Sequence, residues 1–394
     1  TRDGTLETET ICNRLMFPSL LLRAAKPRLL VARTNLGRRL EGRARAAVRH
    51  GRDVLLTDGD LREGEEGDRA AQNLTVASHY NSRKDVGRQA REASPIVHMK
   101  RLNNWVKATL IGTYTQRGDA VLDLASGKGG DLAKWQASEI ALYVGADIAA
   151  SSVEDSRNRY NADQRPFPAR LFSGDAFAAD LASLLQDDLP FDVVSCQFAF
   201  HYAFDAEDRA RNSLKNIAAL LRPGGAFIAT VPDANVLVRK LRNADGLKFG
   251  NRIYSVEFDE KHADKRFSKA SPFGNKYVFN LLDAIEDCPE YLVPMETLEA
   301  LAEEYGLQVE RAQNFHEYHL SASRKPENAQ LLQRMNVMHN ARAGTTISPE
   351  EWEAARVYMV LVLRKKGNAP RRERMWPPRH FKLPAGAVVN LDEL

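Results

Sequence analysis

The run Val121-Leu122-Asp123-Leu124-Ala125-Ser126-Gly127-Lys128-Gly129-Gly130-Asp131-Leu132 constrains this chain more than any other segment. It reads as a buried strand, a glycine-rich turn and the start of a helix. Small residues at 125–127 let the backbone come close to a ligand. Gly127, Gly129 and Gly130 tolerate dihedral angles that a Cβ forbids. A turn of this kind, at the carboxyl edge of a parallel sheet, is where open α/β folds bind nucleotide-like ligands. A purely structural turn has the same look, so the weight falls on the strands that come after it in the chain.

Two acids stand at the ends of those strands. Leu142-Tyr143-Val144-Gly145-Ala146-Asp147-Ile148 is a short apolar strand closing on Asp147. A carboxylate at that distance from the glycines is placed to accept hydrogen bonds from ribose hydroxyls. Ala169-Arg170-Leu171-Phe172-Ser173-Gly174-Asp175 is a third strand, closing on Asp175. Either aspartate alone is an ordinary cap residue. A dinucleotide-binding dehydrogenase explains the glycines and Asp147 but has no need of Asp175, and no hydride-transfer constellation is present. The ordered set resembles class I methyltransferases that bind S-adenosylmethionine. There the turn takes the amino-acid part, the first acid the ribose and the second the adenine amino group.

The fourth strand, Phe191-Asp192-Val193-Val194-Ser195-Cys196-Gln197, runs into Phe198-Ala199-Phe200-His201-Tyr202-Ala203-Phe204. Four rings and a histidine in seven residues suit stacking on a flat base. The Asn/Asp-Pro-Pro-Tyr/Phe tetrad often used to methylate an exocyclic amine is absent. The site reads as built for a nucleophile that has no proton to lose.

These segments resemble the messenger RNA cap guanine-N7 methyltransferases of eukaryotes over roughly residues 78 to 366. The resemblance runs through Arg101-Leu102-Asn103-Asn104-Trp105-Val106-Lys107, the turn 122–135, Gly145-Ala146-Asp147-Ile148-Ala149 and Ser195-Cys196-Gln197-Phe198 with His201-Tyr202. It continues through Leu221-Arg222-Pro223-Gly224-Gly225, Phe249-Gly250-Asn251-Arg252-Ile253-Tyr254, Cys288-Pro289-Glu290-Tyr291-Leu292-Val293 and Glu351-Trp352-Glu353. It implies a Rossmann-like doubly wound α/β sheet, mostly parallel with an antiparallel last strand, carrying a cap-binding insertion. It implies cofactor contacts at Lys107, Ala125, Gly127, Asp147, Asp175, Gln197 and Tyr202. Cap contacts are implied at Asn103 and Asn104, with Lys128, Lys134 and Arg159 lining the cap phosphates. His201, Glu290 and Tyr358 are implied around the guanine, with His201, Glu290 and Tyr202 acting by position rather than as acids or bases. No metal is implied. One departure stands out. The family usually has Gly-Cys-Gly where this chain has Ala125-Ser126-Gly127, so a methyl group is expected to crowd the methionine moiety, with cofactor binding retained, because alanine is small, but weaker.

Residues 1–72 read as a poorly structured extension, first basic, with eleven Lys/Arg against four Asp/Glu in residues 1–50, then acidic from Asp53 to Asp68. Residues 73–366 read as the catalytic domain. Within it a helix over 78–112 carries an apolar stripe from Ile96 to Leu110. An insertion at about 233–295 contains strand-like runs at 252–258 and 277–282, with a polar, mobile stretch between them. Residues 308–315 and 357–364 are predicted to form an antiparallel pair. The Pro/Arg-rich tail 367–394 reads as disordered.

Net charge is only +4, so basic character is local rather than global. Cys12, Cys196 and Cys288 lack metal-ligand spacing and fit a reducing compartment. No apolar run is long enough for a membrane span. The expectations are therefore a nuclear, monomeric enzyme acting on the 5′ cap of RNA with S-adenosylmethionine, in association with capping machinery or RNA polymerase II. Basic clusters at 38–45 and 371–374 are candidate import signals. A catalytically silent methyltransferase-like RNA-binding fold and a small-molecule methyltransferase are the alternatives.

Overall fold

A computed structural model describes residues 92–372, 374 and 380–393, all within the second of two units, Gln72–Leu394. The expectations for residues 1–72, and for the helix before residue 92, lie outside the described residues.

The first element is α1 (Val97–Tyr114), whose apolar stripe Met99, Leu102, Trp105, Val106 and Leu110 is fully buried. Then come β1 (Ala120–Leu124), α2 (Leu132–Ala137), β2 (Leu142–Asp147), α3 (Ala150–Ala162), β3 (Ala169–Ser173) and the short α4 (Leu181–Leu184). After β4 (Phe191–Gln197) a 3-10 segment, Phe200–Asp205, leads into α5 (Glu207–Leu220) and β5 (Leu221–Pro232). Strands β5, β4, β1, β2 and β3 are adjacent in that order and all parallel. Both faces of this sheet are covered. Successive residues of β5 alternate between two apolar clusters: Ile228 packs with α1, Phe227 and Ala229 with α5.

α6 (Ala234–Asn243) opens the insertion. Its strands are β6 (Lys248–Gly250), β7 (Tyr254–Phe258), β8 (Lys276–Leu281) and β9 (Ile285–Tyr291), in an antiparallel sheet of their own. Alternation decides its buried face: Tyr254, Val256 and Phe258 on β7, Tyr277, Phe279 and Leu281 on β8. The register sets Tyr277 opposite Glu290. The chain returns through α7 (Met295–Glu304) and β10 (Leu307–Asn314). Next are α8 (Phe315–Ala322), α9 (Pro326–Arg334), the two-residue strands β11 (His339–Asn340) and β12 (Thr345–Thr346), and α10 (Pro349–Ala355). β13 (Tyr358–Lys365) then lies between β5 and β10, antiparallel to both.

The tail departs from its sequence reading. Val388–Asn390 forms β14, which pairs parallel with β3 at the sheet edge. Asn161 on α3 reads the tail backbone like a strand: Leu383 N donates to its Oδ1 and its Nδ2 donates to Leu383 O, both at 2.8 Å. The arginines of the 371–374 run are engaged by the domain: Arg371 pairs with Asp119, and Arg374 reaches Asp192 at 3.0 Å. Composition suggested disorder, but three ladder residues and Leu391, 8% exposed, suffice to dock the segment on an otherwise open edge.

Candidate active site

The carboxyl ends of β1 to β4 meet at a cleft of about 200 Å³. Ala125 and Gly127 from the first turn, Asp147, Asp175, Gln197 and Tyr202 all line it. These positions come together because parallel strands present their ends at one edge, whatever their separation in the chain.

Gly127 and Gly129 of the turn differ in their surroundings. A Cβ on Gly127 would meet no atom within 4 Å, so it would project into open space at the cleft. A Cβ on Gly129 would come within 2.6 Å of Ser156 Oγ and 2.7 Å of Leu132 Cδ1, so that glycine serves helix packing. Gly127 N donates to Asp147 Oδ2 at 2.8 Å, and Ala149 N to Asp147 Oδ1 at 2.9 Å. Burial raises the Asp147 pKa, and these two backbone bonds oppose it.

Two non-glycine residues at the cleft sit in left-handed backbone: Ala125 at φ 53° and Phe198 at φ 60°. Each costs about 1–2 kcal/mol relative to glycine, and strain of this kind gathers at functional sites. Phe198 is held there because its amide donates to both O and Oγ1 of Thr230. Thr230 Oγ1 in turn donates to Gln197 Oε1, while Gln197 Nε2 bonds Ser195 Oγ and Ile228 O, each at 3.2 Å. Gln197 is therefore locked in orientation at the cleft.

Asp175 is gripped by Arg209 of α5, Nη1 to Oδ2 at 3.0 Å and Nη2 to Oδ1 at 3.3 Å. Arg209 Nε stands 3.2 Å from Oδ1 of Asp205, another cleft residue. Sequence reading missed Arg209 and Asp205, which carry no spacing signal.

The aromatic wall combines Tyr202 with groups behind it. The rings of His201 and Tyr202 are 4.3 Å apart. His201 is buried, and among the described residues neither ring nitrogen has a hydrogen-bond partner. Its Nε2 is 3.6 Å from Oε1 of Glu290, which is also buried and takes a 2.8 Å hydrogen bond from Tyr277 OH. Tyr202 OH lies 3.3 Å from Cys288 Sγ, and burial pushes that thiol up to about 12. Tyr358 packs edge-on against Phe198 at 5.0 Å. His201, Glu290 and Tyr358 thus back the cleft without lining it, whereas Pro289 and Tyr291, beside Glu290, do line it.

None of the expected cap-side polar residues Asn103, Asn104, Lys128, Lys134 and Arg159 lines the cleft, and neither does Lys107, which was expected at the cofactor. Asp131 joins Lys107 to Lys134: its Oδ2 takes Lys107 Nζ at 2.9 Å and its Oδ1 takes Lys134 Nζ at 2.6 Å. Burial works to raise the Asp131 pKa, but the two lysines overcome it and hold it at about 2. Lys134 also donates to Asn104 Oδ1 at 3.2 Å, and Asn103 Oδ1 is buried without a partner among the described residues. Lys128 pairs with Asp155 at 2.8 Å, and Arg159 lies in the last turn of α3. Lys107, Lys134 and Lys128 are thus paired with carboxylates rather than standing as bare cations.

A family model described as mRNA (guanine-N(7))-methyltransferase domain matches residues 63–366. The chain belongs to this family. An mRNA cap guanine-N(7) methyltransferase 1 of Arabidopsis thaliana is 49% identical over 317 residues, covering 78% of this chain and 85% of the relative. The protein of that name in Oryza sativa subsp. japonica is 48% identical over 307 residues, covering 76% and 83%. The mRNA cap guanine-N(7) methyltransferase of Schizosaccharomyces pombe is 38% identical over 299 residues, covering 74% and 82%. A solved S-adenosylmethionine-dependent methyltransferase from Clostridium acetobutylicum aligns at a TM-score of 0.40 and 13% identity, covering 68% of this chain and 92% of that one.

The expected class I methyltransferase fold is the one observed, and the guanine-N7 methyltransferase family makes S-adenosylmethionine the methyl donor. The cleft fits that molecule. It offers an open space over Gly127, carboxylates at two successive strand ends, and apolar walls from Ile148, Phe177 and Phe198. Ala125 lines this cleft without closing it.

Proposed function

We propose that this chain methylates N7 of the 5′ cap guanine of RNA, acting as a monomer in the nucleus alongside the capping machinery or RNA polymerase II. The observation that carries the reading is the adjacency of two unlike sites. A cofactor cleft stands at the strand ends, and the buried His201–Glu290 pair stands behind its aromatic wall.

S-adenosylmethionine brings a methyl group already activated on sulfonium. Guanine N7 carries an exposed lone pair and loses no proton, so no residue has to serve as general base. The protein's task is alignment, and holding two reactants in line is worth about 7–11 kcal/mol of barrier. Asp147 takes the ribose, Asp175 the adenine amine, and Gln197 marks the floor between them. Tyr202 and His201 fence the guanine. Glu290 accepts from the N1 and N2 donors and favours the positive charge that develops on the purine. Lys107, Asn103, Asn104, Lys128, Lys134 and Arg159 hold the charged ends of the two substrates, with Asp131 setting where the lysines point. The silent-fold alternative rests on Ala125 alone.

The test is radiolabelled methyl transfer to three acceptors: GpppA-capped RNA, the same RNA with a 5′ triphosphate, and a pre-methylated cap. Label only on the unmethylated cap, recovered as N7-methylguanine after nuclease digestion, is expected. Absence of label with intact cofactor binding would overturn the reading in favour of a silent fold.

A further inference from the structure

We propose that Arg209 is a positioning residue of the cofactor cleft, holding the Asp175 carboxylate in the one orientation that accepts from an exocyclic purine amine. The proposal rests on Asp175 facing the adenine.

The geometry is that of a clamp. Two nitrogens of one guanidinium meet the two oxygens of Asp175, at 3.0 and 3.3 Å. A carboxylate held in this two-pronged way cannot rotate about its Cβ–Cγ bond without breaking both contacts. Phe177 N donates to the same Oδ1 at 3.1 Å. A carboxylate has roughly four acceptor sites, so an amine can be taken alongside the guanidinium.

Arg209 serves a second carboxylate as well. Asp205 lines the cleft too, and the Arg209 guanidinium reaches it through Nε while its two other nitrogens face Asp175. Without that guanidinium, two carboxylates in a half-buried cleft would repel, and Asp175 would turn toward water. Arg209 is well placed for this task and poorly placed for an ordinary one. Its side chain is only 9% exposed, so it is not a solvated surface group. It sits in the first turn of α5, where the helix dipole disfavours a cation by about 0.3–1 kcal/mol. The favourable contacts that offset this are the ones to Asp175 and Asp205.

A residue that merely braced α5 would affect all ligands alike. A residue that aims Asp175 affects the distinction between a 6-amino and a 6-oxo purine. The experiment measures binding of S-adenosylhomocysteine and S-inosylhomocysteine to the intact chain and to Arg209→Gln, Arg209→Lys and Asp175→Asn, with melting temperatures alongside. The wild type is expected to favour the adenosyl ligand by about tenfold or more, the size of one charge-assisted hydrogen bond. Arg209→Gln is expected to bring the ratio close to one, as is Asp175→Asn. Arg209→Lys keeps the charge but loses the fork, and its ratio is expected between the two. If Asp175→Asn loses the preference while Arg209→Gln keeps it, Arg209 is structural only and the proposal is overturned. If Asp175→Asn keeps the preference, the adenine assignment itself has failed, and the proposal falls with it. Should Arg209→Gln not fold, an unchanged ratio in Arg209→Lys overturns the proposal.

Discussion

His201 Nε2 lies 3.6 Å from Glu290 Oε1, with both side chains almost wholly shielded from water. One comes from the 3-10 segment after β4 and the other from β9 of the insertion, so the contact joins the core sheet to its inserted sheet. Tyr277 OH fixes the other Glu290 oxygen. Glu290→Ala is therefore expected to lower kcat by about a hundredfold, the scale of losing one preorganised electrostatic contact. Cofactor affinity should change less than twofold. Near-normal turnover, measured under saturating cofactor, would remove Glu290 from the mechanism.

Ala125 holds a left-handed conformation at the cleft, and glycine adopts it freely. Ala125→Gly relieves about 1–2 kcal/mol of native strain and returns about 0.4–1 kcal/mol through the looser unfolded chain. A net rise in stability and tighter S-adenosylmethionine binding are expected, read by calorimetric melting and titration. Weaker binding in the glycine variant would show that the methyl group contributes a favourable contact instead.

Asp123 is buried beneath the glycine turn, accepting from Tyr143 OH at 3.1 Å and Trp135 Nε1 at 3.3 Å. Burial, followed by the Asp131 charge, pushes its pKa from 3.8 up to about 7. Between about pH 4 and 7 the folded chain keeps a proton that the unfolded chain releases. Stability from this group therefore falls as pH rises through that window and levels off above it. Asp123→Asn should flatten that part of a melting-temperature profile. A profile that keeps the wild-type slope would assign the slope to other groups.

Asp131 has the opposite sign. Its pKa is held at about 2 in the fold against an ordinary 3.8, so it stabilises above about pH 4 and loses that contribution as pH falls toward 2. Asp131→Asn leaves Lys107 and Lys134 facing each other. It is expected to lower stability at pH 7 and to narrow its gap from the wild type below pH 3, as urea titrations at both pH values would show. An equal gap at both would mean that the two lysines find other partners.

Deleting residues 380–394 should cost about 2 kcal/mol or more, since Leu391 leaves its place over Gly174 and three ladder residues are lost from β3. Denaturant titration of the truncated chain measures this. An unchanged midpoint would mean that β14 adds nothing to the domain.

Much of this site was legible in the order of residues alone. Gly127, Asp147, Asp175 and Gln197 are each local signals, a strand end followed by a turn, and a parallel sheet brings strand ends to one edge. In the insertion β7 and β8 showed as strand-like runs at 252–258 and 277–282, whereas β6 and β9 did not. The tail was misread because composition describes what a segment lacks and not what it can dock against.

The sequence by itself determined the order of β1 to β5 and their turns, the aromatic loop after β4 and the family, because each is encoded in residues close together along the chain. Only the tertiary structure decided that Asp131 sits between Lys107 and Lys134, that Arg209 on α5 grips Asp175 just after β3, and that Val388–Asn390 completes the sheet beside β3. Apart from the Asp131–Lys134 contact, these are pairings of charges and of backbone edges across 24 to more than 200 residues. A charged side chain or a short apolar run looks the same in sequence whether it meets solvent or a partner. The choice is made by which groups the packed core leaves buried and in need of one.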